Sequence, residues 1–149
     1  MNFETPAQKA IFEKVGTWMK ELFGEQAMAR QDAPAYGIVV GSSLTQVFVI
    51  PWGDDDATIE TMSYVVTGPE LSPELLRFLL EKNFNMRFGA FSLDGDGDIV
   101  FSYGIVGSTS DKEELKASIF AVAKTADEFD DQIVSRFGGK RAIDMMKGN

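Results

Sequence analysis

Apolar positions along the chain change period several times, and each change marks an element. Between Thr5 and Gly24, Ile11, Val15, Trp18 and Leu22 recur at spacings of three and four, with Ala7, Met19 and Phe23 widening the stripe. That is the pattern of an amphipathic helix. Thr5 can act as N-cap, Pro6 suits the first helical position, Gln8 completes a capping box, and Gly24 is a suitable stop. Glu25 to Ala35 has mixed composition, ends in Asp32-Ala33-Pro34, and reads as a connection without firm structure of its own. Tyr36–Gly41 and Leu44–Trp52 are two strand-like runs parted by Ser42-Ser43, a natural hairpin. The second run, LTQVFVIPW, is apolar on both faces, with Val47 and Val49 pointing one way and Phe48, Ile50 and Trp52 the other. Such a strand belongs in the middle of a sheet, or has one face covered by something outside the fold.

A charged turn, Gly53-Asp54-Asp55-Asp56, leads to a third strand at Thr58–Val66. Leu71-Ser72-Pro73-Glu74 opens a second helix, Ser72 capping it and Pro73 taking its first position. Leu75, Leu76, Phe78, Leu79 and Leu80 leave this helix little polar face, so it is expected to be engulfed or to lie at an interface, ending by Asn83. Met86–Leu93 and Ile99–Val106 then form a hairpin about Asp94-Gly95-Asp96-Gly97-Asp98. Ser110 with Glu113 makes another capping box. Behind it Leu115, Ile119, Val122, Ala126, Phe129, Ile133 and Phe137 carry a sustained helical stripe to Gly138-Gly139. The expected order is α-β-β-β-α-β-β-α in a single α+β domain spanning 1–149, with a core of about 5–137. Residues 138–149 are expected to be a C-terminal tail, modestly basic from Lys140, with room for one more helical turn and frayed.

Charge and composition narrow the chemistry. The chain carries 14 basic and 23 acidic residues, a net charge of -9, and neither cysteine nor histidine. Thiolate nucleophiles, disulfides, the commonest general base and the commonest transition-metal ligand are therefore absent. The acidity disfavours nucleic acid as a partner. No apolar run approaches the roughly 20 residues that span a bilayer, and the N-terminus lacks the pattern of a signal peptide. The expectation is a cytoplasmic protein with no membrane partner.

No catalytic constellation stands out. Asp94-Gly95-Asp96-Gly97-Asp98 begins like an EF-hand loop, but Ile99 stands where its glycine belongs and Ile105 where its glutamate belongs. A turn between strands is the expectation, as it is for Asp54, Asp55 and Asp56, so neither metal nor cofactor is expected. No glycine-rich nucleotide-binding string occurs. The candidate site is instead an apolar patch of Val47, Val49, Trp52 and Tyr64, suited to a peptide or a second subunit if one sheet face lies uncovered.

The element order resembles the type III secretion chaperone-like fold, and especially its YbjN-like relatives. The most family-like stretch is LSPELLRFLLEKNFNMRFGAFSLDGDGDIVFSYGIVGSTSDKEELKASIFAVAKTADEFDDQI. In it a leucine-rich helix ends in Lys82-Asn83, Phe88-Gly89-Ala90-Phe91 opens a strand, and Asp111-Lys112-Glu113-Glu114-Leu115 starts the last helix. The resemblance runs from Thr5 to Phe137. It implies a twisted antiparallel sheet packed against the N- and C-terminal helices, often dimeric, that binds extended segments of other proteins and has no catalytic residues. The leading expectation is a non-enzymatic, chaperone-like protein- or peptide-binding module, a homodimer with an undefined client. The alternatives are a regulatory domain holding a small apolar ligand and a carboxylate-based hydrolase.

Overall fold

The computed structural model describes residues 1–147. Helix α1 (Pro6–Phe23) starts as its sequence predicts, with the Gln8 amide bonded to the Thr5 hydroxyl at 3.0 Å. The Gln8 side chain also accepts from Glu4 N and donates to the Val49 carbonyl at 2.9 Å, so the cap pins the helix to the sheet. A 3-10 turn (Gly24–Gln26) follows, then β1 (Met28–Ala29), β2 (Ala35–Val40), β3 (Ser43–Trp52) and β4 (Asp56–Thr67). Next come α2 (Pro73–Asn85), β5 (Ala90–Leu93), β6 (Ile99–Val106), α3 (Lys112–Phe137), β7 (Lys140–Arg141) and α4 (Ala142–Lys147).

Among the described residues, the seven strands form one antiparallel sheet in the order β1-β2-β3-β4-β6-β5, with β7 beside the end of β4. The expected α+β order holds, with small elements added. Strand pairing fixes which side chains share a face, because successive residues alternate. Val47 lies opposite Thr61, Val49 opposite Ile59, and Ile59 opposite Ile105. These residues face α1 and α3 and, with Ile11, Val15, Met19, Leu115 and Ile119, make one half of the core. Leu75, Phe78 and Leu79 of α2 meet Phe91, Phe101, Val122, Phe129 and Ile133 in the other half. Each fully buried large side chain contributes about 1.5–3 kcal/mol, so α3, which enters both halves, ties the domain together.

Four local expectations are corrected. The stretch 86–88 is not strand: Gly89 has φ +81°, and a Cβ there would stand 2.5 Å from the Ser102 carbonyl oxygen, so the chain kinks before β5 begins. Asp111, not Ser110, caps α3, accepting from Glu114 N at 2.8 Å from an extended backbone, while the Ser110 amide and hydroxyl both bond back to the Val106 carbonyl. The connection after α1 contains β1, held by pairing with β2 and closed by the bond from Arg30 N to Ala35 O at 2.8 Å. The tail is also ordered over its described part as β7 and α4, whose Ala142 and Ile143 are buried. Gly139, at φ +84°, lets β7 approach β4 where a Cβ would meet the Thr67 carbonyl oxygen at 2.8 Å. Residues 148–149 of the expected tail lie outside the described residues.

Candidate protein-binding surface

The residues between Val47, Val49 and their neighbours on β3 point to the opposite side of the sheet from α1 and α3. Register puts Gln46 beside Met62, Phe48 beside Glu60, Ile50 beside Thr58, and Trp52 beside Asp56. It extends the same face to β6, with Tyr64 beside Val100, Met62 beside Ser102, and Thr58 beside Val106. Phe48, Met62 and Tyr64 are partly buried, whereas Ile50 is 46% exposed and Trp52 57% exposed. Val39 on β2, also exposed, prolongs the apolar surface toward the sheet edge.

The expected patch therefore divides. Val47 and Val49 are fully buried under the helices and cannot meet a partner. Trp52 and Tyr64 do share the open face, but they sit at opposite ends of β4, about 26 Å apart along the strand at ~3.3 Å per residue. Phe48, Ile50 and Met62 fill the space between them. The alternation in LTQVFVIPW already separated these two sets, but nothing in it told which set the helices would cover.

Polar groups punctuate this face. The Arg30 guanidinium lies 5.8 Å from the Phe48 ring centroid, donates to Gln46 at 2.7 Å and pairs with Asp32 at 2.6 Å. Glu60 is partly buried beside Phe48, and loss of hydration pushes its carboxyl above the usual carboxylate range, against a hydrogen bond from Ser102. The Tyr64 hydroxyl donates to Asp94, which raises its pKa. Asp94 itself is held low, first by the amide of Asp98. The Asp94–Asp98 run is the turn its glycines suggest, its first carboxylate accepting amides at positions 96 and 98 at 2.9 Å.

The β5 edge of the sheet is closed. Asn83, at the end of α2, accepts from Phe91 N at 2.7 Å and donates to Phe91 O at 3.1 Å. One side-chain amide thus does for Phe91 what a neighbouring strand would do, and shields an edge that would otherwise invite pairing. Sequence reasoning missed this role, since an asparagine at a helix end reads as an ordinary stop. The outer face of α2 carries a second apolar surface. Leu76, Leu80 and Phe84 project from it at i, i+4 and i+8, Leu80 being 69% and Phe84 89% exposed. Of the two fates expected for this helix, the engulfed side is Leu75, Phe78 and Leu79, and the interface side is this stripe. The grooves between α2 and α3 and between α1 and β1 are open, not enclosed.

Solved structures share this architecture. The chain is similar to a chain of the HopA1-SchA chaperone-effector complex, with TM-score 0.61 and 10% identity over 83% of this chain and 96% of that one. It is similar to a chain of the ExsC-ExsE complex, with TM-score 0.63 and 10% identity over 83% and 93%. It is also similar to YbjN of E. coli, a putative transcription regulator, with TM-score 0.58 and 12% identity over 81% and 92%. No curated protein sequence matches the chain. The model of one family does, over residues 10–145, and the chain belongs to that family, TY-Chap1, the T3SS (YopN, CesT) and YbjN peptide-binding chaperone 1 family.

Proposed function

We propose that this protein is a non-catalytic, homodimeric module of the cytoplasm that holds extended segments of client proteins against the uncovered face of its sheet. The observation that carries this reading is the contiguous apolar surface of Phe48, Ile50, Trp52, Met62 and Tyr64, lying opposite the face that the long helices cover. Surfaces of that kind mark sites of association, and an extended segment can set alternate side chains on a pleated sheet. The membership of a peptide-binding chaperone family agrees with it. With Asn83 closing β5, the β1 edge beside the α1 groove is the place where a client backbone could add to the sheet.

The geometry also favours binding over catalysis. The two carboxyls that burial pushes up, Glu60 and Asp130, are separated by the sheet, Glu60 on the open face and Asp130 on α3. They cannot serve as the acid and base of one reaction. The second subunit is expected on α2, where the stripe of Leu76, Leu80 and Phe84 is flanked by Arg77 and Glu81. Two such helices running antiparallel about a two-fold axis set Arg77 of each near Glu81 of the other, so the surface complements itself.

An array of immobilised apolar peptides tests the client reading. Wild-type protein should bind a subset, and Ile50→Asp and Trp52→Ser, both folded, should lose at least tenfold in affinity. Undiminished binding by both variants would remove the open face from the account.

A further inference from the structure

Glu60 lies in the middle of the open face, between Asp56 beside Trp52 at one end and the Arg30–Asp32 pair beyond Phe48. Register sets it between Phe48 of β3 and Gly104 of β6, with Thr58 and Met62 before and after it on β4, and Gln46, Ile50, Ser102 and Val106 at the diagonals. All of these are uncharged. The carboxylate occupies room that Gly104 leaves: a Cβ at that glycine would stand 2.5 Å from Glu60 Oε2. Ser102 supplies one hydrogen bond, while a carboxylate can accept about four. Among the described residues no lysine or arginine forms an ion pair with Glu60, and Arg30, the cation on this face, is engaged by Asp32 and Gln46.

A segment laid over this face strips the remaining water from Glu60. One that brings no cation leaves a charge stranded among apolar groups; one that brings a lysine or arginine pairs it. We propose that the open face selects protein segments carrying a lysine or arginine among apolar residues, with the Glu60 carboxylate receiving that side chain. This rests on the peptide-binding reading above and names the chemistry of its client. The net charge of -9 adds a long-range attraction for basic segments; on the open face Asp56 is engaged by Ser108 and the Ala57 amide, whereas Glu60 lies among the apolar groups where a bound side chain can be read individually.

The test uses an array of nonapeptides with alternating valine, leucine, isoleucine or phenylalanine and a central lysine, arginine, norleucine or glutamate. It is probed with wild type, Glu60→Gln and Gly104→Ala, each checked for folding by circular dichroism. Wild type should bind lysine and arginine members about tenfold more tightly than their norleucine counterparts. Glu60→Gln should lose that preference while binding the norleucine members at least as well. Gly104→Ala, which displaces the carboxylate but keeps the charge, should weaken it. Equal binding of lysine and norleucine members, or a preference that survives Glu60→Gln, overturns the selector and leaves the peptide-binding reading standing. Failure of every member to bind overturns both, and sedimentation of a wild-type dimer that Trp52→Ser makes monomeric would assign the face to a second copy.

Discussion

Adjacent residues on β3 should respond in opposite ways to the same substitution. Val49 is 2% exposed in the core beneath α1 and α3, and Ile50, the next residue, is 46% exposed on the open face. Val49→Asp forfeits about 1.5–3 kcal/mol of burial. At pH 7 it also places a carboxylate where no cation waits, so the group must take up a proton. Taking up that proton at pH 7 costs about 4 kcal/mol, 1.36 kcal/mol for each of the roughly three pH units above the ordinary aspartate value. The total, about 6–7 kcal/mol, comes close to the whole stability at the lower end of what a domain of this size has, roughly 7–20 kcal/mol at 0.05–0.15 kcal/mol per residue. Ile50→Asp gives up only its covered half, about 1 kcal/mol, and leaves the new carboxylate in water. Urea titration followed by far-ultraviolet circular dichroism distinguishes the two: Val49→Asp should be unfolded or nearly so without denaturant, and Ile50→Asp should shift its midpoint slightly. Lowering the pH neutralises the buried carboxyl and should partly restore Val49→Asp relative to wild type. Comparable loss in both variants would mean that the face assigned as open is covered.

Other perturbations test separate parts of the account. Leu80→Asp on α2 should cost the isolated subunit less than about 0.5 kcal/mol, as exposed positions do, yet weaken self-association at least a hundredfold in sedimentation equilibrium; an unchanged weight-average mass would place the dimer elsewhere. Asn83→Ala strips Phe91 of two hydrogen bonds at about 1 kcal/mol each and bares the β5 edge, so it should melt earlier and scatter light as concentration rises; a variant that melts like wild type would deny the edge its guard. Asp130 is buried on α3 near Ser42, and loss of hydration raises its pKa, opposed first by the hydrogen bond from the Asp131 amide and then by the pull of Arg141, while the Asp131 and Asp127 charges add to the rise. A carboxyl whose folded pKa lies above its unfolded one favours the folded state when protonated, and that contribution is lost as pH rises through the unfolded and then the folded value. Asp130→Asn should therefore raise the melting temperature at pH 7 and change it little at pH 4; destabilisation at pH 7 would show that the ionised group is held by its neighbours instead.

Much of the fold was legible because local signals agreed with one another. Thr5 with Pro6 and Ser72 with Pro73 start α1 and α2 where the sequence puts them, and the stripe from Leu115 to Phe137 runs the length of α3. Signals failed where tertiary contacts decide. Ser110 and Asp111 are both competent caps, and Asp111 takes the role while Ser110 bonds back to the Val106 carbonyl. Met86 to Phe88 has the composition of a strand, but the approach of Gly89 to Ser102 starts β5 later. The candidate site was half legible for a similar reason. A strand apolar on both sides does not say which side receives the helices, so Val47 and Val49 were grouped with Trp52 and Tyr64 although parity along β3 separates them. The ambiguity itself carried information: a strand apolar on both sides signals a second apolar face that the long helices leave uncovered.

If client segments lie on the open face, Trp52 reports their arrival. In a Trp18→Phe background the emission of Trp52, now 57% exposed, can be followed while array-derived peptides are added and their binding is measured independently by anisotropy. A saturating blue shift with the midpoint of the anisotropy curve is the predicted result, since an apolar segment would displace water from the indole. Saturable binding that leaves Trp52 emission unchanged would put the client elsewhere on the molecule and contradict the account.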